Sequence, residues 1–125
     1  MGLPPAQIAP FLVYRLGLSK ARRLALTGAS LKAEQALHEG LVDICVATEA
    51  LEETIQQQCR LFLRCGPKAT ETTKKIIMSV GQIPHDELLD YAADEFARSA
   101  RSKEGMEGMM SFVQKRTPSW AVEES

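Results

Sequence analysis

In the segment Ser102-Lys103-Glu104-Gly105-Met106-Glu107-Gly108-Met109-Met110-Ser111-Phe112-Val113-Gln114-Lys115-Arg116, an aromatic residue and a cation, Phe112 and Lys115, fall three positions apart with Arg116 beside them. On a helix, residues three apart share a face. An aromatic ring beside an ammonium group suits a nucleotide, because a base can rest on Phe112 while Lys115 meets a phosphate. The plainer alternative is a core phenylalanine followed by a solvated Lys-Arg pair that complements the negative end of the helix dipole, and the residues by themselves favour it.

Other candidates for chemistry are weaker. General acid/base work needs two acidic groups aimed at one atom, and the acidic residues of this chain lie mainly on solvated helix faces. His38 and His85 stand next to Glu39 and Asp86, but neighbours on a helix point apart, so neither makes a dyad. His38 reads as a surface residue at a helix C-terminus. Ser19, Ser30 and Ser79 have no nucleophile-elbow context, and there is neither a Gly-rich phosphate loop nor a metal motif. Cys45, Cys59 and Cys65 are odd in number and lack CxxC spacing, which argues against a disulfide framework or a zinc site. Cys45 and Cys59 sit in apolar patterns and read as core filling. The chain's own residues therefore supply no catalytic set and no metal ligands.

With 125 residues and 45% hydrophobic content, the chain can bury one modest core. A net charge of -1 with interspersed signs gives no field to attract nucleic acid or an anionic membrane. No apolar run reaches the length of a membrane span and no secretory signal pattern opens the chain, so a soluble, cytoplasmic protein is expected.

The elements that must position Phe112 and Lys115 are mostly helices. Met1-Gly2-Leu3-Pro4-Pro5 is a proline-set bend of the kind found between two elements, so the chain reads as cut mid-motif. A helix starts no later than Ala9 and carries Ile8, Leu12, Arg15 and Leu16 at helical spacing until Gly17. A second short helix then turns Ala21, Leu24 and Ala25 inward, with Ser19 as its cap. Leu24 to Val46 organises the rest: a turn at Thr27-Gly28-Ala29, a short helix capped by Ser30 and stopped by Gly40, and an apolar strand over Leu41–Val46. Next comes a helix from Thr48 or Glu49 to about Arg64, striped by Leu51, Ile55, Cys59 and Phe62, until Gly66-Pro67 breaks it. Lys68 to Val80 forms another, with Ala69, Thr73, Ile76, Ile77 and Val80 inward. His85 or Asp86 to Arg101 is the best of them, with a wide apolar face from Leu88 to Ala100. Ser102 caps a last helix through Arg116 with Met106, Met109, Met110 and Val113 on one side. Trp120 lies in a tail with no evident place to bury it. The breadth of these apolar faces hints at a missing partner surface; the alternative is that the helices bury one another.

The blocks Ala21-Arg22…Leu26-Thr27-Gly28…Ala33…Ala36…Gly40-Leu41-Val42 and Glu107-Gly108…Phe112…Lys115-Arg116…Pro118-Ser119-Trp120, in this order and spacing, resemble the C-terminal half of the enoyl-CoA hydratase/isomerase (crotonase) family. Gly2-Leu3-Pro4-Pro5-Ala6 is similar to the bend after the family's second catalytic glutamate. Its Pro-Ala-Gln-Ile version resembles a subset that includes branched or isoprenoid acyl-CoA hydratases.

The resemblance implies a mainly α chain: the C-terminal helical region of a crotonase-type α/β spiral fold, with one short strand near Leu41–Val46. Residues 1–47 would be the end of the spiral core, and 48–125 a helical oligomerisation region. It also implies an acyl-CoA thioester substrate, whose coenzyme A is carried by the substrate and is not a cofactor of the protein. In the family two backbone amides hold the thioester oxygen while glutamates move a proton and a water. Those groups precede the position matching Gly2, so the chain by itself is expected to be inactive. Phe112 and Lys115 match the family positions that contact the CoA adenine and phosphates, and a homo-oligomer, a trimer or hexamer, is implied. A non-catalytic oligomerisation or CoA-binding module, or an unrelated helical adaptor, are the alternatives.

Overall fold

The computed structural model describes residues 2–121; Met1, part of the expected N-terminal bend, lies outside them. Contacts divide the chain into two units, one through Leu51 and one from Glu52.

In the first unit, the carbonyl of Pro4 accepts from the Ala6 amide (2.8 Å), and the carbonyl of Pro5 accepts from the amides of Ile8 (3.1 Å) and Ala9 (2.9 Å). This proline turn feeds helix α1, Ala9–Thr27, which tolerates Pro10 because the first turn has no amide partner to lose. Gly17 interrupts α1 with φ 75 and ψ 163, a conformation that L side chains avoid, so two helical arms meet there as the spacing predicts. Ala21 and Leu24 of the second arm are buried, as is Ala36 of helix α2, Ala33–Glu39.

Ser30 does not cap α2. The helix begins later than expected, and the Lys32 amide donates instead to Gln35 Oε1 at 2.9 Å. Gly40 ends α2 in the left-handed region, with its amide on Leu37 O (3.0 Å) and the Leu41 amide on Ala36 O (2.8 Å), the paired bonds of a Schellman cap.

The strand expected over Leu41–Val46 does not form. A strand needs a neighbouring backbone to pair with, and the described residues provide none; instead Arg15 Nε donates to Leu41 O (3.2 Å) and its guanidinium meets Asp43 Oδ1 at 2.7 Å. Val42, Ile44 and Val46 are left exposed.

A 3-10 turn, Thr48–Ala50, runs into helix α3, Leu51–Leu63, and is followed by α4, Pro67–Ser79, α5, His85–Ala100, and α6, Lys103–Val113. Helices α4, α5 and α6 pack on one another. The α5–α6 corner is tight: a Cβ on Gly105 would lie 2.1 Å from the Ser99 carbonyl oxygen. Ser102 caps α6 as the sequence predicts, its hydroxyl accepting from the Gly105 amide at 3.0 Å. Glu104, two residues on, caps a different helix. Its carboxylate accepts from the amides of Lys68 (3.0 Å) and Ala69 (2.8 Å) at the start of α4, where negative charge is favoured. That approach is open because position 66 is glycine; a Cβ there would stand 2.6 Å from Glu104 Oε1.

The helices do not bury one another's apolar faces. Leu51, Ile55, Cys59 and Phe62 of α3 are exposed, so Cys59 is not core filling, and Cys45 is only half-buried. Ile77 and Val80, expected inward, are exposed, as are Leu89 and Phe96 of α5 and Met106, Met109, Met110 and Val113 of α6; Leu88 alone of these apolar side chains is buried. Trp120, by contrast, does find a place: its ring would touch a Cβ on Gly108 at 3.2 Å, and its Nε1 donates to Arg64 O at 3.3 Å.

Candidate functional site

Helix α6 ends at Val113, short of the Arg116 that helical spacing predicts. The chain leaves it through a second Schellman cap: the Lys115 amide donates to Phe112 O (3.2 Å) and the Arg116 amide to Ser111 O (3.0 Å). Lys115 occupies the left-handed position of this cap with φ 52, the one residue other than glycine at positive φ among those described. Phe112 and Lys115 therefore do not share a helix face. Phe112 lies on the last turn, and Lys115 lies on the cap that follows.

Arg116 is not a partner of Lys115 in one solvated basic pair. Its guanidinium grips Glu107, with Nη1 on Oε1 at 2.6 Å and Nη2 on Oε2 at 2.7 Å, while its Nε donates to Gln114 Oε1 at 2.7 Å. Glu107 Oε1 also accepts from the Ser119 amide at 2.9 Å. The arginine fork and this amide hold the Glu107 carboxyl down to about 2, well below the usual carboxylate range. Glu107 thus ties both ends of the Arg116–Ser119 segment back onto α6.

Sequence reasoning did not anticipate this clamp. A separation of nine residues that runs past a helix end follows no helical periodicity; the only local signal is Pro118, which stops regular structure.

Phe112 is 85% exposed and belongs to no core among the described residues. The ammonium of Lys115 meets no described residue. An exposed ring and an unengaged cation three residues apart can together take a flat, apolar group and an anion. Helices α4, α5 and α6 and Trp120 line a groove of about 460 Å³ that includes Ile76, Phe96 and Met109 but neither Phe112 nor Lys115. His38 and His85 are exposed at helix ends. Among the described residues no three His, Cys, Asp or Glu side chains converge as a metal site would require, and no helix is long and apolar enough to cross a membrane.

The chain belongs to the enoyl-CoA hydratase/isomerase family, whose sequence model matches residues 1–123. It is similar to Pseudomonas aeruginosa AtuE, with 45% identity and a TM-score of 0.90 over 97% of this chain and 47% of that one. A similar match is an enoyl-CoA hydratase/isomerase from Marinobacter aquaeolei, with 44% identity and a TM-score of 0.88 over 97% of this chain and 46% of that one. A 2,3-dehydroadipyl-CoA hydratase from Escherichia coli K12 is 29% identical over 116 residues, 93% of this chain and 46% of the relative. The chain thus spans less than half the length of these relatives. Its helices match the helical part of their fold, and a helical adaptor of unrelated origin is excluded.

Proposed function

We propose that this chain is the C-terminal helical part of an enoyl-CoA hydratase/isomerase acting on an acyl-CoA thioester, and that it contributes coenzyme A contacts and subunit contacts. The carrying observation is the pair at the end of α6, a phenylalanine left 85% exposed beside a lysine that no described residue engages. Leaving such a ring in water forgoes about 1.5–3 kcal/mol of burial, which an adenine stacked on Phe112 would recover. Lys115 supplies the positive charge for a phosphate.

The exposed faces of α3, α5 and α6 support the second role. They are more apolar than an isolated surface needs, and a trimer or pair of trimers would cover them. The reacting groups of the family, two oxyanion amides and the glutamates, precede the position matching Gly2, so this chain has no turnover of its own. A cytoplasmic location accords with this reading. The alternative is a CoA-binding or oligomerisation module without catalysis.

Titration of the full chain with CoA tests the proposal. Saturable binding is expected, weakened roughly tenfold by Lys115→Ala, the usual scale for one charged hydrogen bond. Hydration of an enoyl-CoA by the chain alone, abolished by changing one of its own acidic residues, would overturn the reading of where the reacting groups lie.

A further inference from the structure

We infer that Glu107 and Arg116 are positioning residues for Lys115, holding its backbone in a left-handed conformation that lysine seldom adopts so that the ammonium is set for a phosphate. The inference rests on the coenzyme A reading of Phe112 and Lys115 and names what makes that site. An L residue at φ 52 is strained, and such strain persists only where the surroundings over-determine it.

The surroundings here are specific. The bond from the Arg116 amide to Ser111 O closes the cap immediately after Lys115, and the Arg116 guanidinium is then fixed on Glu107 by two hydrogen bonds of 2.6 and 2.7 Å. The Ser119 amide adds a third bond to the same carboxylate at 2.9 Å. Trp120, seated over Gly108, anchors the far side of the segment. Lys115 is thus pinned between the end of α6 and a clamp that starts one residue later. The clamp also occupies Arg116, which leaves Lys115 as the unengaged cation of this helix end. Without the clamp, position 115 relaxes to ordinary backbone angles and its side chain leaves along a different direction, while Phe112, on the helix proper, stays in place.

The test is a double-mutant cycle read by titration with two probes: CoA, and adenosine, which has the base but no phosphate. In the full chain, Lys115→Ala and Glu107→Gln should each weaken CoA about tenfold, and the double variant should be no weaker than Lys115→Ala, because the two changes remove one contact. Adenosine should bind all four proteins alike. Arg116→Lys, which keeps the charge but loses the fork, should repeat Glu107→Gln and serves if that variant does not fold. Wild-type CoA affinity in both Glu107→Gln and Arg116→Lys, or losses that multiply to about a hundredfold in the double variant, would overturn the inference. So would weakened adenosine binding in Glu107→Gln, the mark of general disruption. An unchanged affinity in Lys115→Ala would instead overturn the coenzyme A reading itself.

Discussion

Substituting Lys115 by glycine and, separately, by alanine separates the backbone of the cap from the charge it carries. In the left-handed region an L residue costs about 1–2 kcal/mol through the approach of Cβ to the following carbonyl oxygen, and glycine does not bear that cost. Glycine returns about 0.5–1 kcal/mol of this through its greater freedom in the unfolded chain. With φ at 52, Lys115→Gly should therefore be more stable than Lys115→Ala by about 0.5–1 kcal/mol, a shift of roughly 0.3–0.5 M in a urea midpoint where the slope is about 2 kcal/mol/M. Both variants lose the ammonium, so both should lose CoA affinity to the same extent. Urea unfolding followed by far-UV circular dichroism, beside CoA titration, reads the two effects. The sign of the stability difference is decisive. Were α6 to continue helically through Arg116, alanine would win by about 1 kcal/mol, because glycine is the poorer helix former by that amount. A more stable alanine variant would refute the left-handed cap and everything argued from it.

Two further expectations concern the two ends of α6. The Glu107 carboxyl is held at about 2, below the ordinary 4.5, so its contribution to stability is fully present above pH 4.5 and declines as pH falls through about 2. The fluorescence of Trp120, the chain's one tryptophan, should keep its native emission until the clamp carboxylate protonates, and a clamp-release transition centred near 4.5 would show Glu107 to be unpaired. Gly105→Ala should destabilise by roughly 1–3 kcal/mol despite alanine's better helix propensity, since the new methyl group meets the Ser99 carbonyl at 2.1 Å; a stabilised variant in thermal unfolding would show the α5–α6 corner to be open.

What the sequence determined by itself is what depends on neighbours within a turn or two. Gly17, Gly40 and the Gly66-Pro67 pair punctuate the helices where glycine freedom and proline's missing amide demand, and Ser102 caps α6 through a bond three residues long. Tertiary structure decided the rest. Ser30 reads as a cap locally, but α2 starts where Gln35 can reach the Lys32 amide, and the apolar run Leu41–Val46 has strand character with no described strand to pair with. Cys59 and the α3 stripe have a core pattern and no core, because periodicity states which side of a helix is apolar and not whether anything lies against it. The end of α6 shows the division most clearly. Helical spacing continues through Arg116, but the Schellman cap with Lys115 at φ 52, followed by the grip of Glu107 on Arg116 and Ser119, turns the chain away after Val113. Those bonds join residues nine and twelve apart across a helix end, where no repeat in the sequence could announce them.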